Sequence, residues 1–337
     1  MSVATIPLAN AIHSGKKTMT AMLVNADREF VCATVPAPVR KDGEVLIEIH
    51  AAAVNRADLM QREGNYPPPP GWPEWCGLEV AGIVLEAPPS ASVRPGEQVC
   101  ALLGGGGYAE QVAVPAGMVI PIPAGISMVE AATLPEVWST AYLNLQLEAG
   151  GIRPGDTVFI QAGASGVGLA AIQYSKLMGA RVITTIDRED KAEFVRKLGA
   201  DIAVNYLEQE IEPVIAANPI DIALDCVGGA RMGECFRHMR FGGRWIMIAT
   251  MAGAMTQVDL ETVFRKRLRI IGSTLRSRTP EEKEAILQAL RRNLWPKFSS
   301  RELISNIHAV FPLREAGNAH AVLQRCENIG KVVLQVK

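Results

Sequence analysis

Hydrophobic and polar positions follow different patterns in two parts of this chain. Between Met19 and Pro123, short apolar runs such as AMLV, EVLIEIHAAAV and YAEQVAV are separated by segments such as YPPPPGWP and LGGGG. Many short strands broken by proline and glycine turns predict a compact β-rich domain. The next stretch, ISMVEAATLPEVWSTAYLNLQLEAG, has helical spacing and predicts a connection into a second unit.

The second part alternates strands with helices. Its strands are predicted at TVFIQAG, RVITTID, IAVNY, DIALDCVG, RWIMIAT and RIIGST, which are nearly continuous apolar runs. Such runs are typical of a parallel sheet that is covered on both faces. The pattern predicts a doubly wound α/β domain over residues 136–280. Helical spacing between the first two strands places five residues on one apolar stripe: Val167, Ala170, Ala171, Tyr174 and Met178.

The end of the chain is predicted to return to the first domain. PEEKEAILQALRRNLWPKF predicts an amphipathic helix with Pro280 in its first turn, and NIGKVVLQV predicts a strand. We therefore expect residues 19–135 and 281–337 to form one β-rich domain, with the α/β domain inserted between them. Residues 1–18 are predicted to be a disordered leader, and Met19 is an alternative start.

Composition narrows the class of protein. Apolar residues make up 48% of the chain, charged residues 20%, and the net charge is −1. This balance gives no sign of a nucleic-acid partner or of an acidic membrane surface. No apolar stretch approaches the roughly 18 residues of a membrane helix. Six scattered cysteines without a CxxC pair, and a first segment unlike a secretory signal, predict a reduced, cytoplasmic protein.

The segment QAGASGVG, residues 161–168, carries a candidate dinucleotide site. It follows a predicted strand and opens a helix, so its backbone amides and the helix N-terminus favour a pyrophosphate. The pattern is not a complete GxGxxG, and a tight turn without a ligand is the alternative. The residues predicted to face the pyrophosphate are Gly163, Ala164, Ser165, Gly166 and Val167.

Three charged residues after the second strand bear on the choice of coenzyme. Asp187 lies about 20 residues beyond the glycine loop, where a carboxylate binds adenosine ribose hydroxyls. Arg188 and Lys191 follow it and would instead neutralise a 2′-phosphate. The alternatives are a helix N-cap for Asp187 and a solvated helix start for the two cations. The sequence therefore predicts a nicotinamide dinucleotide and leaves NADH and NADPH open.

Several blocks along residues 20–337 carry a family resemblance. They include AVNRADLMQREGNYPPPPG, GLEVAG, LPEVWSTAY, GASGVG, LDCVGG and NIGKVVL. With these blocks the chain resembles the medium-chain dehydrogenase/reductase superfamily, and within it the zinc-free quinone oxidoreductases of the tumour-suppressor-inducible branch. The resemblance implies a GroES-like domain, a Rossmann domain, NADPH or NADH as cofactor, and a homodimer.

The resemblance also implies positions for the cofactor and the substrate. It places Asn55 and Thr140 near the nicotinamide, Gly163 to Val167 at the pyrophosphate, Lys191 and Tyr206 at the adenosine phosphate, Asn328 and Lys331 near the cofactor, and Tyr66 in the substrate cleft. Two residues depart from the wider pattern. Ser165 replaces a glycine of the superfamily, although this branch shares the serine, and Asp187 replaces a small residue of NADPH-preferring relatives.

The segment EWCGLEVAG raises the question of a metal, because Glu74, Cys76 and Glu79 are candidate ligands within six residues. In zinc alcohol dehydrogenases, which are similar in this region, a ligating cysteine aligns with Asn55 and a histidine with Leu78. Asparagine is a poor zinc ligand and leucine is none. We therefore predict that no metal is bound and that Cys76 is a buried packing residue.

Without a Lewis acid, the acceptor must already be electron-poor, as a quinone or an activated enone is. Tyr66 is the predicted proton donor, Asn55 a second hydrogen-bond donor, and Arg276 or Arg278 a cation for cofactor or substrate. The alternatives are that Tyr66 packs the proline loop and that the arginines are surface charges. The leading function is an NAD(P)H-dependent quinone reductase. A zinc-free enoyl or enone reductase and a non-enzymatic, dinucleotide-bound structural or RNA-binding protein are the competing functions.

Overall fold

The computed structural model describes residues 17–337 and contains a β-rich part and an α/β part. In the β-rich part, β1 (Thr18–Val24) pairs with β2 (Phe30–Pro36) in a small antiparallel sheet. A seven-stranded sheet has the order β14-β15-β3-β4-β5-β7, with β6 paired to β3. Its strands are β3 (Glu44–Val54), β4 (Glu79–Glu86), β5 (Gln98–Leu102), β6 (Gln111–Pro115), β7 (Val119–Pro121), β14 (Ile307–Pro312) and β15 (Lys331–Gln335).

The α/β part is a six-stranded, wholly parallel sheet in the order β10-β9-β8-β11-β12-β13. Its strands are β8 (Thr157–Ile160), β9 (Arg181–Ile186), β10 (Ile202–Asn205), β11 (Ile220–Asp225), β12 (Met239–Met247) and β13 (Arg269–Gly272). The strand order reverses next to β8, as in a doubly wound fold. The six predicted apolar runs each overlap one of these strands, so the predicted fold class is confirmed.

Helices surround both sheets. They are α1 (Arg56–Arg62), α2 (Met128–Ala131), α3 (Pro135–Tyr142), α4 (Gly166–Leu177), α5 (Glu189–Leu198), α6 (Ile211–Ala217), α7 (Arg231–Cys235), α8 (Leu260–Lys266), α9 (Pro280–Asn293), α10 (Trp295–Ser299) and α11 (Ala316–Gln324). Pro280 occupies the first turn of α9, as predicted. Within residues 17–337, no helix has the length and apolarity needed to cross a membrane.

Helix α4 is more buried than the predicted stripe. Residues 168–175 are buried all around the helix, including the polar side chains of Gln173 and Ser175. The reason is that α3 packs against α4 on the side away from the sheet. Gln173 satisfies its amide by donating to the backbone oxygens of Leu169 and Ile304. A helix enclosed in this way does not show one apolar face in its sequence.

The last strand connects the two parts of the molecule. β15 pairs antiparallel with β3, with Val333 opposite Ala53. Just before β15, the N–H of Gly330 donates to the oxygen of Ala164 in the glycine loop at 2.8 Å. Residue 331 therefore lies where the β-rich sheet meets the glycine loop.

The predicted leader falls largely outside the described part of the chain, which begins at residue 17. Thr18, the last residue assigned to that leader, is the first residue of β1. The sequence patterns also did not indicate β2, β7 or β14. Residues of β2 and β14 are exposed or half-buried throughout, so neither strand carries the apolar pattern of an interior strand.

Candidate active site

The glycine loop between β8 and α4 has the geometry of an anion site. Ser165 is the N-cap of α4, and its Oγ accepts from the N–H of Gly168 at 3.0 Å, which accounts for a serine at this position. A side chain at Gly163 is excluded, because its Cβ would lie 2.1 Å from Oγ1 of Thr184. Gly166 takes part in a parallel bridge between Ser165 and Gly330, whereas the N–H of Val167 has no acceptor among residues 17–337. An unpaired donor at a helix N-terminus fits a pyrophosphate.

The end of β9 carries ion pairs where the adenosine half of a dinucleotide is expected. The Lys191 ammonium lies 2.8 Å from Oδ1 of Asp187 and donates to the oxygen of Cys326 at 2.6 Å. Arg188 pairs with Asp190 at 3.0 Å. Arg188, not Asp187, is the N-cap of α5, so the alternative role for Asp187 as a cap is wrong. Both predicted cations are thus already paired with carboxylates.

Tyr206 and Asn328 lie beside these ion pairs. The Tyr206 side chain is exposed. The backbone N–H of Tyr206 donates to the backbone oxygen of Ile186 at 3.1 Å. Partial burial raises the pKa of Tyr206, and the charge of Asp187 raises it further, so the two side chains are neighbours. Nδ2 of Asn328 donates to the oxygen of Gly330 at 2.7 Å. The structure therefore brings Asp187, Lys191 and Tyr206 together.

Asn55 and Lys331 belong to a buried network at the junction of the two sheets. The Lys331 ammonium lies 2.6 Å from Oδ1 of Asn55, 2.9 Å from the oxygen of Val54 and 2.8 Å from Oε1 of Glu79. Nδ2 of Asn55 donates to Glu79 at 3.0 Å and to the oxygen of Ala53 at 3.3 Å. The amide of Asn55 is therefore fully bonded within the protein. A hydrogen bond from Asn55 to a ligand requires one of these bonds to be exchanged.

The residues around this network do not fit a zinc ion. Leu78 is buried in the core, Glu74 is exposed, and the Glu79 carboxylate is already paired with the buried ammonium. The Cys76 thiol donates to the oxygen of Asp58 at 3.5 Å, and burial raises its pKa, which disfavours the thiolate that binds metals. Across residues 17–337, no three His, Cys, Asp or Glu side chains form a group able to hold a metal ion.

Asp58 fixes the loop that precedes β4. Its Oδ1 accepts from the N–H of Gly77 and its Oδ2 from the N–H of Asn55, each at 2.8 Å. Asp58 is completely buried, and burial raises its pKa to about 6, despite these two bonds to its ionised form. The Asp58 carboxylate therefore holds the start of α1, and with it Asn55, against the loop at Gly77.

Tyr66 and Arg276 pack against each other. The Arg276 guanidinium lies 4.8 Å from the centre of the Tyr66 ring and donates to the oxygen of Tyr66 at 2.9 Å. It also bonds the oxygen of Gly104 at 2.6 Å and Oε1 of Gln61 at 2.5 Å. Arg276 is buried, so it is no surface charge. The Tyr66 side chain is half-buried, and its hydroxyl bonds to no residue among those described.

Arg278 has a different environment. It pairs with Glu148 and with Glu282, the latter at 3.2 Å, on the outside of the cleft. Of the two arginines considered from the sequence, Arg276 is therefore the one that belongs to the site.

Sequence reasoning missed Glu136 at the start of α3. Its N–H donates to Oε2 of Glu79 at 2.8 Å, which places it directly above the buried network. Within residues 17–337 its carboxyl group forms no hydrogen bond or ion pair. Thr140 lies one turn later on the same face of α3, and its side chain is buried. The signal in the sequence was a single acidic residue within the apolar block LPEVWSTAY, which resembles an ordinary first-turn acid.

Comparisons with known proteins agree with this architecture. Residues 41–124 match the sequence model of the alcohol dehydrogenase GroES-like domain, and residues 166–292 match that of the zinc-binding dehydrogenases. Quinone oxidoreductase-like protein 2 of Bos taurus is 27% identical over 330 residues, which cover 96% of this chain and 94% of that protein. Prostaglandin reductase-3 of Mus musculus is 31% identical over 232 residues, 68% of this chain and 61% of that protein.

A solved structure shows the same similarity to quinone oxidoreductases. The quinone oxidoreductase of Thermus thermophilus, whose structure is also known with NADPH, is 31% identical with a TM-score of 0.80, and the match covers 95% of this chain and 100% of that chain. The expected GroES-like and Rossmann domains are both confirmed. The chain belongs to the medium-chain dehydrogenase/reductase superfamily and is a quinone oxidoreductase-like member of it.

Proposed function

We propose that this protein is an NAD(P)H-dependent, zinc-independent reductase of quinones. The observation that carries the proposal is the buried Lys331–Glu79–Asn55 network at the base of the cleft. In this network the Lys331 ammonium bonds Asn55 and Glu79, which a catalytic metal would need as ligands. A carbonyl substrate that needs a Lewis acid is therefore a poor match for this cleft, whereas a quinone is electron-poor without one.

The residues of the glycine loop and of the end of β9 fit a nicotinamide dinucleotide. The N–H of Val167 and the N-terminus of α4 would hold the pyrophosphate, and Asp187 or Lys191 the adenosine ribose or its phosphate. Thr140 would contact the nicotinamide, as the resemblance implies, and its buried side chain one turn after Glu136 supports this role. When bound, the cofactor supplies a hydride to the acceptor. NADPH in the Thermus relative and an acidic Asp187 in this chain favour different coenzymes, so both belong in the assay.

The test is a matrix of initial rates, with NADH and NADPH against benzoquinones, naphthoquinones and simple aldehydes, on protein freed of metal. We expect quinone-dependent oxidation of at least one coenzyme that is unchanged by a chelator, with no aldehyde reduction. Stoichiometric zinc in the purified protein, with quinone turnover lost on chelation and restored by zinc, would refute the proposal.

A second candidate is reduction of α,β-unsaturated ketones. It is favoured by the similarity to prostaglandin reductase-3 and by the Tyr66 hydroxyl, which bonds to no residue among those described and could donate a proton to an enolate. An enone and an enoyl thioester in the same matrix separate this reaction from quinone reduction. Tight dinucleotide binding without turnover of any acceptor would instead support the non-enzymatic role.

We also propose that two copies of the chain form a homodimer through the edge of the parallel sheet. β13 ends that sheet, and Ile270 within it is 43% exposed. Phe264 on the neighbouring α8 and Phe241 on β12 are also exposed. Parallel sheets are normally covered, and an open apolar edge is a template for pairing. Light scattering during gel filtration tests this: the wild type should be a dimer and Ile270→Lys a monomer.

A further inference from the structure

Glu136 has a carboxyl group in an unusual position. It follows Pro135 at the start of α3, is half-buried, and is anchored through its N–H to Oε2 of Glu79. Half-buried carboxyl groups normally have partners, yet within residues 17–337 this one has no hydrogen bond or ion pair. The side chain thus carries a polar group that the protein itself does not use.

Charged and titratable groups face Glu136 from six segments. They are Glu79 of β4, Lys331 of β15, Asp58 of α1, Lys283 of α9, Arg276 after β13, and Tyr66 of the proline loop. The Lys331 ammonium is paired with Glu79, and the Lys283 ammonium donates to the oxygen of Arg276 at 2.9 Å. The charge of Glu136 therefore acts on Tyr66 and Arg276, while the nearby lysines are bonded elsewhere.

The protonation state of Glu136 follows from these surroundings. The N-terminus of α3, Lys331 and Lys283 favour the ionised form. Burial, and after it the negative charge of Glu79, oppose it more strongly and raise the pKa of Glu136 to about 8. At pH 7 the group is mainly a carboxylic acid with one O–H to donate.

The two other candidate acids are less suitable. Burial raises the pKa of Tyr66 above its ordinary value near 10, so its phenol is a weak acid at neutral pH. Both carboxylate oxygens of Asp58 accept backbone hydrogen bonds, and the group is completely buried. General acids act best when their pKa lies near the working pH.

We propose that Glu136 is the proton donor of this site, resting on the proposed function, and that its acid proton passes to the acceptor after hydride has reached it. Hydride transfer converts a quinone into a hydroquinone monoanion. The O–H bond of Glu136 then breaks, an O–H bond forms on the quinone oxygen, and the electron pair stays on the carboxylate. Water returns a proton to Glu136, so one coenzyme, one quinone and one proton give oxidised coenzyme and hydroquinone. With an enone, the proton goes to the enolate.

The first test needs neither cofactor nor acceptor. Infrared spectra of the free protein are recorded from pH 5 to 10 in the carbonyl-stretch region of protonated carboxylic acids. The wild type should lose a band with a midpoint near pH 8. Glu136→Gln, which keeps the shape but has no acidic proton, should lack this band, whereas the exposed control Glu281→Gln should keep it. A wild-type spectrum with no band titrating above pH 6.5 would overturn the proposal.

The second test uses turnover with the best acceptor. We expect Glu136→Gln to lower kcat on the order of a hundredfold while the KM values change little, because general acids contribute at least that much. The wild-type kcat/KM should fall as the pH rises through about 8, and this fall should be absent in Glu136→Gln. Glu136→Asp should recover part of the rate, and Glu281→Gln all of it.

The outcomes distinguish this inference from the function beneath it. Wild-type protein that reduces neither quinones nor enones with either coenzyme refutes the proposed function, and the donor role with it. If the wild type turns over and Glu136→Gln keeps the same kcat and the same pH profile, the donor role alone is refuted. Melting temperature and dinucleotide affinity of each variant show whether a lost rate reflects a lost fold.

Discussion

Replacing Lys331 with methionine tests the buried network that underlies the proposed function. The ammonium is 4% exposed and the Glu79 carboxylate is completely buried, with 2.8 Å between them. Without Lys331, Glu79 retains Nδ2 of Asn55 and the N–H of Glu136 but faces no cation of its own. Removing one partner of a buried ion pair costs about 3–5 kcal/mol. We expect Lys331→Met to lower the free energy of unfolding by that amount.

The assay is urea unfolding followed by tryptophan fluorescence, completed as a double-mutant cycle. Lys331→Met with Glu79→Gln should recover most of the loss, because a neutral amide no longer needs the ammonium. Lys297→Met is the matched control, since its pair with Glu302 is partly exposed and such pairs contribute about 0–1 kcal/mol. If Lys331→Met falls within about 1 kcal/mol of the wild type, or the double variant is no better than the single one, the account of this network is refuted.

Three further predictions concern turnover. Asp187→Ser should release Lys191 for a 2′-phosphate and raise the NADPH-to-NADH ratio of kcat/KM about tenfold or more. An unchanged ratio in initial-rate assays would contradict the assignment of Asp187 and Lys191 to the adenosine ribose. Tyr66→Phe should raise the acceptor KM and lower kcat less than tenfold, since Glu136 supplies the proton; a hundredfold loss of kcat would make Tyr66 the acid instead. Arg276→Lys keeps the charge but loses the planar fork that bonds two backbone oxygens and the side chain of Gln61. The acceptor KM should therefore rise, and thermal unfolding should show a stability loss of about 1–3 kcal/mol.

The sequence predicted the parallel sheet well because its strands are covered on both faces, so each is an apolar run that needs no knowledge of its neighbours. β2 and β14 were missed because their residues are exposed or half-buried, and only pairing with β1 and β15 makes them strands. The stripe on α4 was understated because the packing of α3 on its outer face is a tertiary fact.

The candidate site also contains residues that local sequence patterns indicate and residues that they do not. The glycine loop and Asp187 are local patterns, so the sequence alone could name them as candidates. The bond between Lys331 and Asn55 joins residues 276 positions apart, and no local pattern reports it. Glu136 was missed because its raised pKa comes from burial and from the charge of Glu79. Glu79 lies on β4, far from α3 in the sequence. The resemblance named candidate residues for the cofactor, but only the structure gives their partners within the protein.

The position of Lys331 also sets an order of events during synthesis. Asn55 and Glu79 leave the ribosome long before Lys331, and until β15 arrives their carboxylate and amide have no cation between them. The glycine loop likewise waits for Gly330. A nascent chain that stops short of this segment would have both sheets largely translated and still lack a finished coenzyme pocket. Under the proposed function, we expect a chain that terminates before residue 330 to show no coenzyme-dependent turnover.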